Sequence, residues 1–156
     1  MKTFSIVGAG RLGTALGAAL ARRGWRAEAI VDRDARAARE SRRIIGCGRA
    51  STSLAAAAKA RGTVIVAVPD DAVGGVAAAL ARGAGSWAKR NVFHTSGLVP
   101  AGALGPLAER GARVASLHPV QSFPRKDVPP SIFEGITWGL EGDAAAFGEA
   151  KGIVRA

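Results

Sequence analysis

Residues 3–13 read TFSIVGAGRLG, an apolar run halted by glycines spaced G-x-G-x-x-G at Gly8, Gly10 and Gly13. The aromatic and β-branched residues at 3–7 predict a buried strand. Leu12, Leu16 and Leu20 then recur at i, i+4 and i+8, predicting a helix over 11–23 that Gly24 ends. Between strand and helix each glycine has its own task. Gly8 permits the tight turn, Gly10 lets the backbone approach a ligand, and Gly13 lets helix and strand pack closely. The N–H groups and dipole at the helix start suit phosphate. Such a motif is weak evidence in a chain with 21 glycines, so a second signal has to decide. It comes from Asp32, 19 residues beyond Gly13, which closes a second apolar run, AIV at 29–31. An acid at that distance hydrogen-bonds the ribose when the turn holds the pyrophosphate of a dinucleotide.

Outward from this stretch the chain alternates strand and helix. Residues 26–31 predict a strand and 34–44 a helix with Asp34 as N-cap. Ser51-Thr52-Ser53 introduce an alanine-rich helix to Ala60, closed by Gly62. TVIVAV at 63–68 has the near-continuous β-branched content of a strand buried on both faces. Asp70-Asp71 are expected to cap a helix through Ala81. Further strands are expected at 91–94, 113–117 and 136–140, with a short helix near 101–110. Such alternation predicts an α/β fold, a doubly wound, mostly parallel sheet with helices on both faces. It is expected to fill residues 1–142, with 143–156 beginning another helix. The loop at 120–134, VQSFPRKDVPPSIFE, is long enough to suggest a task of its own.

The 156 residues suit one domain, and 48% hydrophobic with 22% charged residues is ordinary for a globular chain. No apolar run reaches the roughly 20 residues of a membrane span. The first strand follows Met1-Lys2 too closely for a secretory signal. The single cysteine, Cys47, is expected to be a small, buried, inert thiol, and a reducing cytoplasm fits best. A net charge of +10 raises the question of nucleic acid. The arginines are scattered, however, and only 5% of residues are aromatic, so a solvated basic face is expected, with no nucleic-acid partner.

Ligands of open α/β sheets sit beyond the carboxyl ends of the strands. The residues expected there are the turn itself (Gly8, Ala9, Gly10, Arg11, Leu12, Gly13), then Asp32 and Arg33, Val68, Pro69 and Asp70, and Thr95 and Ser96. Asp32 favours NAD, whereas Arg33 and Arg36 favour the 2′-phosphate of NADP, so the cofactor is NADP or NAD. Ser96 divides evenly between function and capping its loop. His118, before a proline at a strand end, is the candidate proton donor or acceptor. His94 fits a structural group better. No metal site is expected.

In order and spacing, GAGRLG at 8–13, VAVPDD at 66–71, HTSG at 94–97 and SLHPVQSF at 116–123 resemble one family. It comprises the Rossmann-like NAD(P)-binding oxidoreductases that carry a helical C-terminal domain of unknown function. More distantly the chain is similar to pyrroline-5-carboxylate reductases, ketopantoate reductases and deazaflavin-dependent NADP oxidoreductases. The resemblance implies a dinucleotide on the glycine turn and the 68–71 and 95–97 loops, and a small-molecule substrate near His118. It also implies a second, helical domain that completes the site and often a homodimer. That domain is absent here, so a fragment, a truncated product or a stand-alone half is expected.

The leading expectation is an NAD(P)-dependent oxidoreductase acting on a small carbonyl, imine or hydroxy-acid, with His118, or a residue of the second domain, handling the proton and Ser96 beside it. The alternative is a non-catalytic nucleotide-sensing module that acts through a partner.

Overall fold

In the computed structural model residues 1–155 are described; Ala156, the last residue of the expected C-terminal helix, lies outside them. The strands are β1 (Thr3–Val7), β2 (Arg26–Val31), β3 (Arg49–Ser51), β4 (Thr63–Val66), β5 (Asn91–His94), β6 (Arg113–Pro119) and β7 (Trp138–Gly142). The helices are α1 (Arg11–Arg22), α2 (Ala35–Ile45), α3 (Ala55–Lys59), α4 (Val73–Arg82), α5 (Gly105–Ala108) and α6 (Phe147–Val154). The sheet runs β3-β2-β1-β4-β5-β6-β7, parallel throughout except for the antiparallel pair β6–β7. After β3 the chain returns to the middle of the sheet and builds outward on the other side. The carboxyl ends of β1 and β4 therefore flank the crevice where such sheets bind ligands.

Side chains alternate along each strand, which divides the interior into two layers. Phe4, Ile6, Ile30, Ile65, Phe93 and Leu117 pack under α1, α2 and α6. Val7, Val31, Val64, Val66 and Val92 pack under α3, α4 and α5 on the opposite face. The doubly wound arrangement read from the sequence is the one observed. α6 belongs to the first layer, burying Ala150 and Ile153, and its Glu149 accepts from Lys2 Nζ at 2.7 Å and Thr63 Oγ1 at 2.9 Å.

Several boundaries differ from expectation. β3 replaces part of the polar stretch expected to lead into α3. Its three residues are strand because Arg49, Ala50 and Ser51 pair with Ala29, Ile30 and Val31. β4 ends at Val66 rather than Val68, because the chain turns there to pass the glycine turn. β7 begins two residues later than expected, its register set by Pro119 facing Trp138 and Ala115 facing Gly142. Asp70 and Asp71 are not side-chain caps. Asp70–Ala72 form a 3-10 turn without a side-chain cap bond, and α4 starts only at Val73. Cys47 is half-buried rather than buried, its Sγ accepting from Ala27 N at 3.4 Å. Asp34 caps α2 as expected, accepting from Arg36 N at 2.8 Å.

Candidate functional site

The glycine turn is built as its spacing demands. Gly8 has φ +102°, and a Cβ there would strike the Ala67 carbonyl. A Cβ at Gly13 would strike the Gly8 carbonyl and come within 3.1 Å of both Ala67 Cβ and Ile6 Cγ2. At Gly10 a Cβ would meet nothing within 4 Å, and φ is −77°, open to any L-residue. Two of the glycines are thus filled against by protein. The third faces open space at the start of α1. No side chain caps that helix and no acid lies in its first turn, so its positive end is free for an anion.

Beneath this open position the Ala9 peptide is gripped on both sides. Its N–H donates to Asp32 Oδ2 at 2.8 Å. Its carbonyl lies 3.2 Å from Ser41 Oγ and 3.5 Å from Thr14 Oγ1, and the two hydroxyls, both fully buried, also contact each other, so one donates to the carbonyl and accepts from the other. Asp32 Oδ1 in turn accepts from Asp34 N at 2.9 Å. The acid expected to meet a ribose therefore also fastens the glycine turn to the end of β2. The exposed Arg33 follows it, with the exposed Arg36 in the first turn of α2. Val68 stands against the turn, its Cγ1 3.0 Å from where a Gly8 Cβ would lie, and Pro69 and Asp70 are exposed beside it.

At the carboxyl ends of β5 and β6 the two histidines take different roles. His118 is half-buried, and its Nδ1 lies 3.0 Å from the Thr95 carbonyl. A carbonyl only accepts, so Nδ1 carries the proton and Nε2 holds the lone pair in the neutral ring. Gly97 lies against that ring; a Cβ there would sit 2.7 Å from Nε2. His94 is fully buried, and its Nδ1 accepts from Ser96 N at 3.2 Å. Its Nε2 has no hydrogen bond of good geometry. Burial pushes this imidazole below its ordinary 6.5, against weaker opposing pulls from the Pro100 backbone and the Glu141 and Asp70 carboxylates. Ser96 Oγ accepts from Leu98 N at 3.1 Å and Val99 N at 3.0 Å, so it shapes the loop above His94. Thr95 is 6% exposed, and its carbonyl is the partner of His118 Nδ1.

A cleft of about 440 Å³ opens between the 97–100 loop, the carboxyl half of β6 and strand β7. His118 and Ser116 lie on one side, and Glu141 faces them from β7. Leu98, 82% exposed, gives it an apolar rim on a surface where no apolar patch is evident from the sequence. No local sequence pattern marks Glu141, Ser41 or Thr14. Glu141 reaches the cleft only through antiparallel pairing of β7 with β6, and the two hydroxyls meet across two helices.

The family model for a Rossmann-like domain matches residues 2–119. No curated protein matches the chain in sequence. Among solved structures, a Bacteroides fragilis protein assigned as an NADP oxidoreductase superposes with a TM-score of 0.81 at 23% identity, over 99% of this chain and 56% of its own. Prephenate dehydrogenase from A. aeolicus, in complex with hydroxyphenyl propionate and NAD+, gives 0.75 at 18% identity, over 99% and 57%. An imine reductase from Streptomyces aurantiacus gives 0.75 at 21%, over 99% and 52%. These likenesses are of fold, and the chain spans little more than half the length of each of these proteins. With more than two thirds of its residues covered by the model, the chain belongs to the Rossmann-like domain family.

Proposed function

We propose that this chain is the cofactor-binding domain of an NAD(P)-dependent oxidoreductase acting on a small carbonyl, imine or hydroxy-acid substrate. The observation that carries the proposal is Gly10, the one glycine of the turn that no protein atom explains. Pyrophosphate would lie over Gly10, Arg11, Leu12 and the uncapped start of α1. Asp32 would take the adenosine ribose, with Arg33 beside it for a 2′-phosphate, so the reading covers NADP or NAD. Val68 and Pro69 would wall the nicotinamide ribose, next to the Thr95–Ser96 loop.

A bound dinucleotide supplies hydride chemistry, and the protein's part is orientation, proton handling and exclusion of water. His118 is the proton carrier, since the Thr95 carbonyl fixes its tautomer and leaves Nε2 beside the cleft. Ser96 supports it by holding the 96–99 turn in place. Residues from a second, helical domain beyond α6 would close the substrate side and provide a homodimer contact. The protein would work in the cytoplasm without nucleic acid. Two neighbours of this fold are a prephenate dehydrogenase with bound NAD+ and an imine reductase, which agrees with this class of chemistry.

The test is nicotinamide absorbance against a panel of carbonyls, imines and hydroxy acids, for wild type and His118→Gln. Loss of kcat in the variant with unchanged dinucleotide Kd supports the assignment. Equal rates would remove His118 from the chemistry. Tight dinucleotide binding with no turnover would favour a sensing module.

A further inference from the structure

We infer that the cleft beside His118 takes its substrate as an organic cation, an ammonium or iminium, recognised by the Glu141 carboxylate. This rests on the oxidoreductase reading above and narrows its substrate class. Antiparallel pairing sets Ser116 opposite Glu141 and His118 opposite Gly139. His118 and Glu141 are therefore diagonal neighbours on one face, a relation that spans about 7–8 Å. Gly139, directly opposite His118, has no side chain to fill the gap; a Cβ there would lie 3.8 Å from His118 Cβ. The sheet thus leaves room for a small molecule between the imidazole and the carboxylate.

The charge of this place is opposite to that of the molecule. The chain has 22 Lys and Arg against 12 Asp and Glu, yet no Lys or Arg lines the cleft among the described residues. Apart from the imidazole, Glu141 is the one ionisable group that lines it among the described residues. Ala101 N donates to Glu141 Oε2 at 2.7 Å, which orients the carboxylate without neutralising it. No lysine or arginine forms an ion pair with it among the described residues. A substrate carboxylate would be repelled by this exposed, unpaired charge, whereas an ammonium would be attracted and would place its hydrocarbon part against Leu98.

Three six-membered rings of similar size separate the possibilities: piperidinium, neutral tetrahydropyran and cyclohexanecarboxylate. Each is titrated into the full chain, with amide NMR shifts of Gly97 and Gly139 as the readout. A parallel titration with NADPH and NADH runs on the same samples. Piperidinium is expected to shift both amides with the tightest Kd. Glu141→Gln, which keeps an acceptor for Ala101 N and so the local fold, is expected to weaken it about tenfold or more. A Glu141 that merely holds Ala101 would leave the charge preference untouched. Preference for the carboxylate or the neutral ring, equal piperidinium affinity in Glu141→Gln, or no shift with any ring overturns the inference. If dinucleotide still binds in those cases, the inference fails alone. Failure of dinucleotide binding overturns the oxidoreductase reading itself.

Discussion

Alanine at Gly13 would drive a methyl into the Gly8 carbonyl and crowd Ala67 and Ile6, whereas the same methyl at Gly10 meets nothing within 4 Å. The same change in the same motif should therefore give two outcomes. Gly13→Ala is expected to lower stability by about 1–3 kcal/mol or more, read by chemical denaturation, while Gly10→Ala leaves the midpoint unchanged. His94 offers a second test on single residues. Its folded pKa is depressed by burial, so the unfolded chain binds the proton more readily. Its contribution to stability is complete above the unfolded value near 6.5 and is lost as pH falls toward the folded pKa. Denaturation midpoints should drop as pH falls below that value, and His94→Gln should flatten the slope. An unchanged slope would assign the acid sensitivity elsewhere.

Between elements, the buried Thr14–Ser41 pair joins α1 to α2 beneath the Ala9 carbonyl. Ser41→Ala removes one hydrogen bond of this set and leaves Thr14 to donate to the carbonyl alone. A loss of about 0.5–1.5 kcal/mol is expected, measured by urea denaturation. Arg90 plays the corresponding part at the opposite end of the sheet. Its guanidinium donates to Ala57, Ala58 and Gly62 carbonyls and stacks 4.2 Å from the Trp87 ring. Arg90→Lys should destabilise measurably, because an ammonium cannot reproduce a planar fork spread over three acceptors.

What was legible at this scale followed from local pattern. The glycine turn, Asp32, α1, β1 and the order of alternation are all written in runs of adjacent residues. β3 was not, since Arg49-Ala50-Ser51 has no strand pattern and is ordered only by its neighbour β2. β7 starts two residues beyond its expected position because it contains two glycines and takes its register from β6. Asp70 and Asp71 look like a cap, yet the turn they occupy satisfies its own backbone, with Ala72 N donating to the Pro69 carbonyl. The candidate site divides the same way. Its phosphate half lies in one contiguous stretch, while Glu141 and Ser41 come from the meeting of distant segments.

At the scale of the whole molecule, the sheet, covered on both faces, holds the glycine turn at the carboxyl end of β1 and the His118 cleft at the carboxyl end of β6, with β4 and β5 between them. Nothing in that frame moves when Gly10 changes, because its backbone is unstrained and its side-chain position is empty. Gly10→Asp therefore isolates ligand binding from folding. Calorimetric titration of wild type and Gly10→Asp with NADPH and NADH, after confirming that the variant melts no lower than wild type, tests the central claim most directly. The account predicts that wild type binds at least one of the two, and that an aspartate over the start of α1 abolishes that binding by its bulk and charge. A wild type that binds neither, or a Gly10→Asp variant that binds as tightly as wild type, would contradict it.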